Sequence, residues 1–407
     1  MSKPTKLPEG WKLVSLGEVG TLINGDRGKN YPSQKDFVDN GVPFINAGHI
    51  QNGEIDFESM NFISRKRFDL LGSGKVKSGD ILYCLRGSLG KTAIIKDIQE
   101  GAIASSLVII RPSEQIRTDY FYRYLASPIG QAEIYKYDNG SSQPNLSAQS
   151  LKQYRLPLPP LEEQRRIAAI LDKADGVRRK RKEAIRLTEE LLKSTFLEMF
   201  GYSSDESVSI GELLDKGVLL LHKDGNHGSN YPRTSEFGIE GIPFLSANCF
   251  SDSGEMITDN VKFLSESKAN KLKIGWLEHS DVLLAHNATV GRVALYDGRY
   301  KQALVGTSLT IFRPHREYLL PEFLFGVLRS EMFQKQLAHN MEQSTRNQVP
   351  ITAQRDLKIK LAPLKKQLKF KELFHHVMNI SKKYESSNQE SENLFNSLLQ
   401  KAFRGEL

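Results

Sequence analysis

Cysteine is scarce in this 407-residue chain, and long apolar runs are absent from it. The two cysteines, Cys84 and Cys249, lie far apart. They give no support for a disulfide framework or a zinc site, and they suit a reducing cytoplasm. No apolar run approaches the ~20 residues that a helix needs to cross a bilayer, and no hydrophobic signal stretch follows Met1. We therefore expect a cytoplasmic protein with no membrane contact.

The common catalytic and metal-binding motifs are also missing. The nine histidines include no His-x-x-x-His pair. His375 and His376 are adjacent, so they point to different faces of a helix and do not form a metal-ligand pair. There is no Gly-x-Ser-x-Gly elbow, no dinucleotide-binding fingerprint and no Asn/Asp-Pro-Pro-Tyr motif of adenine methyltransferases. We expect no catalytic residue, no metal site and no cofactor bound by this chain.

What the chain does contain is one module written twice. Residues 25–32 and 225–232 are identical at five of eight positions across an offset of 200 (225 − 25). Further matching segments follow in the same order: 14–18 with 208–212, 41–44 with 241–244, 79–82 with 280–283, 106–112 with 308–314, and 160–164 with 363–367. A repeat of this length is a whole domain rather than a solenoid unit.

The first part of each copy is predicted to mix strands and helices. Short strand-like runs at 42–46, 80–85, 92–95 and 102–110 are separated by glycine and asparagine. One amphipathic helix is predicted near 118–137, with a counterpart near 321–339, because apolar residues recur there at helical spacing. These patterns favour a mixed α and β domain with a curved sheet and long loops.

The last part of each copy is predicted to be one long helix. Pro157, Pro159 and Pro160 end the first globular region. Residues 162–200 then run without proline, with apolar residues at three- and four-residue spacing, and 365–403 repeat the pattern. A helix with one apolar stripe must bury it. Each helix either folds back on its own domain or pairs with the other as an antiparallel coiled coil, which we favour. The expected register places Glu392 near Lys173 and Glu385 near Lys180.

Together these features predict an α/β (mixed α+β) fold. Two repeated globular domains are separated by two long helices that pair as an antiparallel coiled coil, in a pseudo-twofold arrangement. The predicted boundaries are 1–158 for the first domain, 159–203 for the central helix, 204–361 for the second domain and 362–407 for the C-terminal helix.

Charge and loop composition favour a DNA partner. The formal net charge is +8, which favours a polyanionic partner. Arg, Asn and Gln make bidentate contacts to guanine and adenine in the major groove, and both copies carry loops rich in them. The alternative is that these loops are ordinary surface turns. We predict DNA contacts from these residues: Arg27, Lys29, Asn30, Tyr31, Arg86, Ser88, Lys91, Ser141, Ser142, Gln143, Asn145, Asn226, His227, Ser229, Asn230, Tyr231, Arg233, Asn287, Thr289, Arg292, Thr345, Arg346 and Asn347.

Two further basic segments have competing interpretations. Residues 85–92 resemble a phosphate-binding loop, but Leu85 stands where that motif needs glycine. The second copy, 287–293, loses both the lysine and the hydroxyl, so a structural turn is favoured over a nucleotide site. The basic run at 178–182 is either a solvated helix face or a contact for phosphates or for an acidic partner.

The most specific segments resemble a known family. They are residues 7–11, the Gly-Val-Pro-Phe strand at 41–44, Gly-Asp-Ile-Leu at 79–82, and Leu-Pro-Leu-Pro-Pro-Leu-Glu-Glu-Gln at 156–164 before the long helix. This pattern resembles the specificity subunit of type I restriction–modification enzymes over essentially the whole chain, twice. The second copy departs from it at 360–367 and has no counterpart of Trp11.

The resemblance implies a role without catalysis. Two target recognition domains would each read half of a bipartite site in double-stranded DNA. The helices would set the spacing and dock two methyltransferase subunits. S-adenosylmethionine, ATP and Mg would be bound by the partners, which include restriction and translocase subunits. Because the two copies share the loop at 25–32 and 225–232 but differ within it, we expect related but not identical half-sites.

Three other functions compete with this one. The chain could serve as the DNA-specificity subunit of another phage-defence assembly. It could be a coiled-coil scaffold without a DNA role, or an ATPase using residues 87–92. Co-purifying partners, salt-dependent DNA binding and an activity assay would discriminate them.

Overall fold

The computed structural model describes residues 7–96, 98–136, 146–201, 207–342 and 347–407. The chain divides into two compact units, called here unit 1 (Met1–Lys182 with Ser386–Leu407) and unit 2 (Glu183–Glu385). Each unit contains the globular part of one repeat and a stretch of each long helix. Within the described ranges, no helix is long and apolar enough to cross a membrane.

Unit 1 is built on two sheets. Its strands are β1 (Lys12–Ser15), β2 (Gly20–Asn24), β3 (Phe37–Val38), β4 (Val42–Ile45), β5 (Ile50–Gln51), β6 (Glu54–Ile55), β7 (Asn61–Ile63), β8 (Lys75–Val76), β9 (Ile81–Cys84), β10 (Thr92–Ile94), β11 (Gly101–Ile103), β12 (Leu107–Pro112) and β13 (Arg155–Leu158). One sheet has the order β10-β9-β12-β2 and the other β3-β7-β4-β11-β8, while β1 pairs with β13 and β5 with β6. All pairings are antiparallel except that of β4 with β11.

Helices cover these sheets and connect them to the long helix. They are α1 (Leu16–Val19), α2 (Arg65–Leu70), α3 (Thr118–Ala126), α4 (Pro128–Lys136), α5 (Ala148–Lys152) and α6 (Leu161–Phe200), of which unit 1 contains the first part. The aromatic residues of α3 are buried against the four-stranded sheet and against the end of the chain, where the Phe403 ring lies 5.5 Å from that of Tyr120.

Unit 2 repeats this topology. Its strands are β14 (Ser207–Ser209), β15 (Leu219–Asp224), β16 (Phe237–Gly238), β17 (Ile242–Leu245), β18 (Lys262–Leu264), β19 (Val282–Ala285), β20 (Val293–Leu295), β21 (Leu304–Val305), β22 (Leu309–Pro314) and β23 (Lys358–Lys360). Its helices are α7 (Ile210–Asp215), α8 (Glu266–Ala269), α9 (Pro321–Arg329), α10 (Glu331–Glu342), α11 (Ile351–Gln354) and the first part of α12 (Leu364–Arg404). The sheet β15-β22-β19-β20 matches β2-β12-β9-β10 of unit 1.

Three local predictions were wrong in the same way, and one of them is the helix predicted near 321–339, which is interrupted at the extended Ser330 between α9 and α10. The run at 102–110 is two strands, because a turn from the Leu107 N–H to the Ala104 carbonyl carries the chain from one sheet to the other. The single helix predicted near 118–137 is interrupted at Ser127, which precedes a proline and is extended. Ser127 Oγ donates to the Tyr124 carbonyl and accepts from the Gly130 N–H, so it ends α3 and begins α4.

A buried ion pair explains two of the repeated sequence segments. Arg111 donates from Nε and Nη2 to the two carboxylate oxygens of Asp80, both at 2.8 Å, and Asp80 is 1% exposed. Arg313 binds Asp281 with the same atoms at the same distances. Removing one partner of such a pair leaves a buried charge uncompensated, so the segments that carry both partners recur in the two copies.

The long helices pack antiparallel within each unit, as predicted. In unit 1, Arg166 donates to the Leu407 carbonyl at 2.8 Å and Arg178 to Glu392 at 3.2 Å. In unit 2, the Phe196 and Phe370 rings lie 5.2 Å apart. The expected register was wrong, because Glu392 pairs with Arg178 and Lys182 rather than with Lys173. The contacts of buried aromatic residues set the register of the two helices. The midpoints of the two helical segments in the sequence do not.

Candidate nucleic-acid interface

The identical residues of the repeated loop support the backbone. A Cβ atom on Gly225 would lie 2.1 Å from the Gly306 carbonyl oxygen, and one on Gly25 would lie 2.8 Å from that of Ala104. No side chain fits either position without moving the backbone. The two glycines are therefore shared because the loop packs tightly against the sheet.

The shared tyrosine and asparagine also serve the fold. The Tyr31 ring packs edge-on against Phe44 at 5.7 Å, and the Tyr231 ring against Phe244 at 5.8 Å. Asn30 Nδ2 donates to the Leu70 carbonyl at 2.9 Å. Three of the residues predicted to contact DNA, Asn30, Tyr31 and Tyr231, thus hold the loop in place.

Two of the three positions that differ between the loops, 27/227 and 29/229, are exposed in both units. Arg27 and Lys29 in unit 1, and His227 and Ser229 in unit 2, are exposed to solvent. Position 26 differs in another way: Asp26 accepts hydrogen bonds from the Gly28 and Gly72 amides, which hold the pKa of its carboxyl below the ordinary value. The shared loop therefore gives no reason to expect related half-sites.

Asn226 is not available to a ligand, although the sequence pattern predicted a DNA contact there. It is 2% exposed, and its Nδ2 donates to the Val305 carbonyl at 3.2 Å. The backbone N–H of Asn226 donates to the same carbonyl at 2.9 Å, and Asn226 forms a parallel bridge with Gly306, the residue after β21. Its neighbours Asn230 and Arg233 remain exposed.

Lys91 and Arg292, also predicted to contact DNA, bind the same backbone feature in the two units. Lys91 Nζ donates to the Ala47 carbonyl at 3.4 Å, and Arg292 Nη1 donates to the Ala247 carbonyl at 3.2 Å. Thr92 is buried and donates to the Leu82 carbonyl at 2.7 Å. The groups that a phosphate-binding loop would use are thus committed within the fold, which argues against a nucleotide site at 85–92.

The turn that follows β9 or β19 still presents polar residues to solvent. Arg86, Ser88 and Thr289 are exposed, and Asn287 is half-buried beside Gln348. Further along, Asn347 is exposed at its side chain and accepts a backbone hydrogen bond from Ala288. The other predicted contacts lie outside the described residues: Ser141, Ser142, Gln143, Asn145, Thr345 and Arg346.

The basic run in the middle of α6 is largely neutralised inside unit 1. Arg178 binds Asp175 at 2.6 Å and Glu392 at 3.2 Å. Arg179 binds Glu54 at 2.8 Å and Asp175 at 3.1 Å. One alternative for this basic run was a contact with an acidic partner. The acidic residues that it contacts are present within unit 1 itself.

Sequence reasoning missed four polar residues beside the predicted loops. Asn24, Ser147, Gln149 and Lys152 line the same notch as Arg27 and Arg86 in unit 1. The signal that could have found them is the comparison of the two copies at strand and helix ends. Among the described residues, no group of three or more His, Cys, Asp or Glu could hold a metal ion.

Comparison with known proteins decides the family. Residues 8–187 and 209–390 match the model of the type I restriction modification DNA specificity domain. The chain belongs to this family. The two matched segments, one from each sequence copy, confirm the internal duplication.

Two relatives in the specificity family extend over nearly the whole chain, and a third extends over about half of it. The EcoKI specificity subunit of Escherichia coli K12 is 25% identical over 430 residues, covering 99% of this chain and 90% of that protein. The StySPI specificity subunit of Salmonella potsdam is 25% identical over 426 residues, with the same coverage. The MjaVIII specificity subunit of Methanocaldococcus jannaschii is 30% identical over 201 residues, 47% of this chain and 46% of that one. These relatives are named as specificity subunits.

Solved structures of the specificity family share the fold. The crystal structure of the type I restriction–modification S subunit from M. genitalium has a TM-score of 0.58 at 15% identity, covering 99% of this chain and 98% of that one. A structure concerned with complex assembly and conformational transition of the type I R-M system has a TM-score of 0.54 at 21% identity, covering 99% and 100%. The predicted fold class, with duplicated mixed α+β domains and two long helices, is confirmed.

Proposed function

We propose that this chain supplies the DNA sequence specificity of a type I restriction–modification complex and reads a bipartite site in double-stranded DNA. One observation carries the proposal. In a chain of the DNA specificity family, the two units keep the same structural residues but differ at the exposed positions 27/227 and 29/229 of the same loop. Two reading surfaces of one fold with different side chains suit two half-sites.

The proposed interface is narrower than the set that the sequence pattern suggested. The residues that remain exposed carry it: Arg27, Lys29, Arg86, Ser88, His227, Ser229, Asn230, Arg233, Thr289 and Asn347. The six predicted residues outside the described ranges stay in the proposal. Asn30, Tyr31, Tyr231, Lys91, Arg292 and the buried Asn226 act by holding the loops, and the half-buried Asn287 is secondary. The domain boundaries 1–158, 159–203, 204–361 and 362–407 belong to the same proposal.

The proposed partners follow from the family. Two methyltransferase subunits and the restriction and translocase subunits would assemble on this chain in the cytoplasm. S-adenosylmethionine, ATP and Mg would be bound by those partners and not by this chain. The paired helices α6 and α12 are the proposed docking elements, because they are the parts of the chain outside the reading loops.

Salt-dependent DNA binding tests the proposal. The purified full-length chain should bind duplex DNA, and the logarithm of its affinity should fall linearly with log salt, with a slope near −0.9 per phosphate contacted. Selection from a pool of randomised duplexes should enrich two short motifs at a constant separation. An absence of duplex binding would leave the coiled-coil scaffold as the better account.

A pull-down from the native host identifies the assembly. A DNA methyltransferase subunit should co-purify with the chain. Recovery of a different defence complex, with DNA binding intact, would favour the specificity subunit of another phage-defence assembly.

A further inference from the structure

One notch in unit 1 brings two of the predicted loops together. Its polar lining comes from the end of β2, the repeated loop, the turn after β9, and α5 with its N-cap residue: Asn24, Arg27, Arg86, Ser147, Gln149 and Lys152. Each of these six side chains is exposed to solvent. Elements that are distant in sequence thus converge on one concave surface.

The notch has a fixed apolar floor. Side chains alternate across a strand, so Leu22 and Asn24 lie on one face of β2, while Ile23 packs into the core on the other. The Leu146 N–H donates to the Leu85 carbonyl at 3.0 Å, which ties the start of α5 to the turn after β9. The polar groups above this floor are therefore positioned by ordered backbone.

The charge of this lining is one-sided. Arg27, Arg86 and Lys152 bring three cations, Asn24 and Gln149 bring amides, Ser147 brings a hydroxyl, and no carboxylate among the described residues lines the notch. Guanidinium and ammonium groups donate hydrogen bonds and accept none. A ligand for this surface therefore presents acceptors, as the O6 and N7 edge of guanine does in the major groove.

Unit 2 places different chemistry at the same positions. In the strand registers, Asn24 opposite Val108 corresponds to Asp224 opposite Thr310. By the same alignment four of the remaining lining residues become His227, Asn287, Thr352 and Arg355. A carboxylate thus stands where unit 1 has an amide, and His227 Nδ1 lies 3.5 Å from it.

The layer beneath this position differs as well. Leu22, Leu151, Leu85 and Val108 of unit 1 correspond to His222, Gln354, His286 and Thr310. His222 Nε2 lies 3.1 Å from Gln354 Oε1, and the Thr310 hydroxyl lies 2.8 Å from His286 Nδ1. Burial lowers the pKa of His222 to about 4, so this ring is neutral at neutral pH. These two hydrogen-bonded pairs lie in the layer beneath Asp224, where unit 1 has leucine side chains.

The duplication provides an internal control for this contrast. Residues that hold the fold recur with the same bonds, including the Asp80–Arg111 and Asp281–Arg313 pairs and the cations on the Ala47 and Ala247 carbonyls. In contrast, the residue at position 24 or 224 differs in hydrogen-bonding character, because it is an amide in unit 1 and a carboxylate in unit 2. The side chains of an exposed concave site thus differ between two copies that share the same framework. This difference is typical of a surface that selects its ligand.

We propose that this notch reads one base pair of each half-site: unit 1 selects guanine through Arg27 and Arg86 beside Asn24, and unit 2 selects a base with an exocyclic amino group, cytosine or adenine, through Asp224. This inference rests on the proposed function. It names positions 24 and 224, which lie at the ends of β2 and β15, as residues that determine specificity.

Exchange of the notch residues tests the inference. The double variant Asn24→Asp with Arg27→His gives unit 1 the chemistry of unit 2. The full-length protein is assayed by selection from a pool of randomised duplexes, followed by sequencing. At one position of one half-site, the preference for guanine should fall about tenfold or more, and the other half-site should not change. The reciprocal variant Asp224→Asn should weaken only the second half-site.

Lys35→Ala is the matched control, because Lys35 is an exposed cation of unit 1 that neither lines the notch nor belongs to the proposed interface. It should leave both motifs unchanged. Arg86→Asn provides a second route to the same result if the double variant has a lowered melting temperature.

The outcomes separate the two proposals. A wild-type chain that enriches no motif defeats the proposed function, and this inference falls with it. A wild-type motif that the notch variants leave intact defeats the inference alone. A uniform loss of affinity for all sequences, with a smaller salt slope, also defeats it, because the notch would then bind backbone phosphate.

Discussion

Gln164 and Gln367 occupy equivalent positions in the two sequence copies, and each has the same structural role at the start of a long helix. Gln164 is fully buried; its Oε1 accepts from the Arg117 N–H at 2.8 Å, and its Nε2 donates to the Pro159 and Gln115 carbonyls at 2.8 and 3.0 Å. Gln367 makes the same three bonds to Leu320, Ala362 and Tyr318. The amide joins the start of each long helix to the segment before α3 or α9.

Replacing this amide should therefore destabilise unit 1 strongly. Gln164→Leu leaves the buried Pro159 carbonyl without its partner, and it also removes the partly buried bonds to the Arg117 N–H and the Gln115 carbonyl. The free energy of unfolding of unit 1 should fall by about 1–3 kcal/mol in a denaturant titration.

Glu162→Gln is the control for this substitution, since Glu162 lies two residues earlier on the same helix and is exposed. Its effect should stay within about 0.5 kcal/mol. An equal effect of the two variants would show that water replaces the amide at Gln164.

At the scale of single elements, α12 carries an acidic cluster in the part that belongs to unit 2. Glu385 is half-buried, and its carboxyl faces Glu255, Glu189 and Ser253. Burial, followed by the hydrogen bond and charge of Glu255, raises the pKa of Glu385 to about 8. The carboxyl group is therefore protonated at neutral pH in the folded unit.

This pKa predicts a pH dependence of stability. The pKa in the folded state is above the ordinary value of 4.5, so the contribution of Glu385 is fully present below pH 4.5 and is lost as the pH rises towards 8. Glu385→Gln should remove this slope and raise the free energy of unfolding at pH 8 by on the order of 1 kcal/mol, since solvent screens a half-buried group.

The measurement is a series of denaturant titrations between pH 5 and 8. Glu372→Gln, at an exposed position of the same helix, should leave the wild-type slope in place. If Glu385→Gln keeps that slope as well, the carboxyl group ionises in the folded protein at its ordinary pKa.

At the scale of the whole molecule, the end of the chain completes the core of its first unit. Phe395, Leu399 and Phe403 of α12 are buried in the cluster that contains Tyr120 and the strands of unit 1. Residues more than 250 positions apart thus share one core, because unit 1 includes Ser386–Leu407. Contacts of this sequence separation are slow to form during folding.

Truncating Phe403 should therefore loosen unit 1. Phe403→Ala removes a ring that lies 5.5 Å from Tyr120 and 5.3 Å from Tyr124, at a cost of about 3–5 kcal/mol. Amide hydrogen exchange should accelerate in β2 and β12, and the increase should be concentrated in unit 1.

Leu394→Ala, on the same helix but at a side chain that is 59% exposed, should cost less than about 1 kcal/mol. Acceleration spread equally over β2, β12, β15 and β22 after Phe403→Ala would contradict the assignment of this segment to the core of unit 1.

Local patterns were enough to predict the duplication and the extents of the long helices. The predicted helices at 162–200 and 365–403 differ from α6 and α12 by at most one residue at either end. Proline before the helix, acidic residues in the first turn of α6 and an apolar stripe are local signals, so their information lies within the segment itself.

Only the tertiary structure decided which polar residues remain available. Asn226 and Asn230 read alike in the loop, but one is buried on the Val305 carbonyl and the other is exposed. The same holds for the helix register, and for Lys91, whose partner Ala47 is 44 residues away. Burial and hydrogen-bond satisfaction depend on groups brought together by the fold, and a local pattern does not contain them.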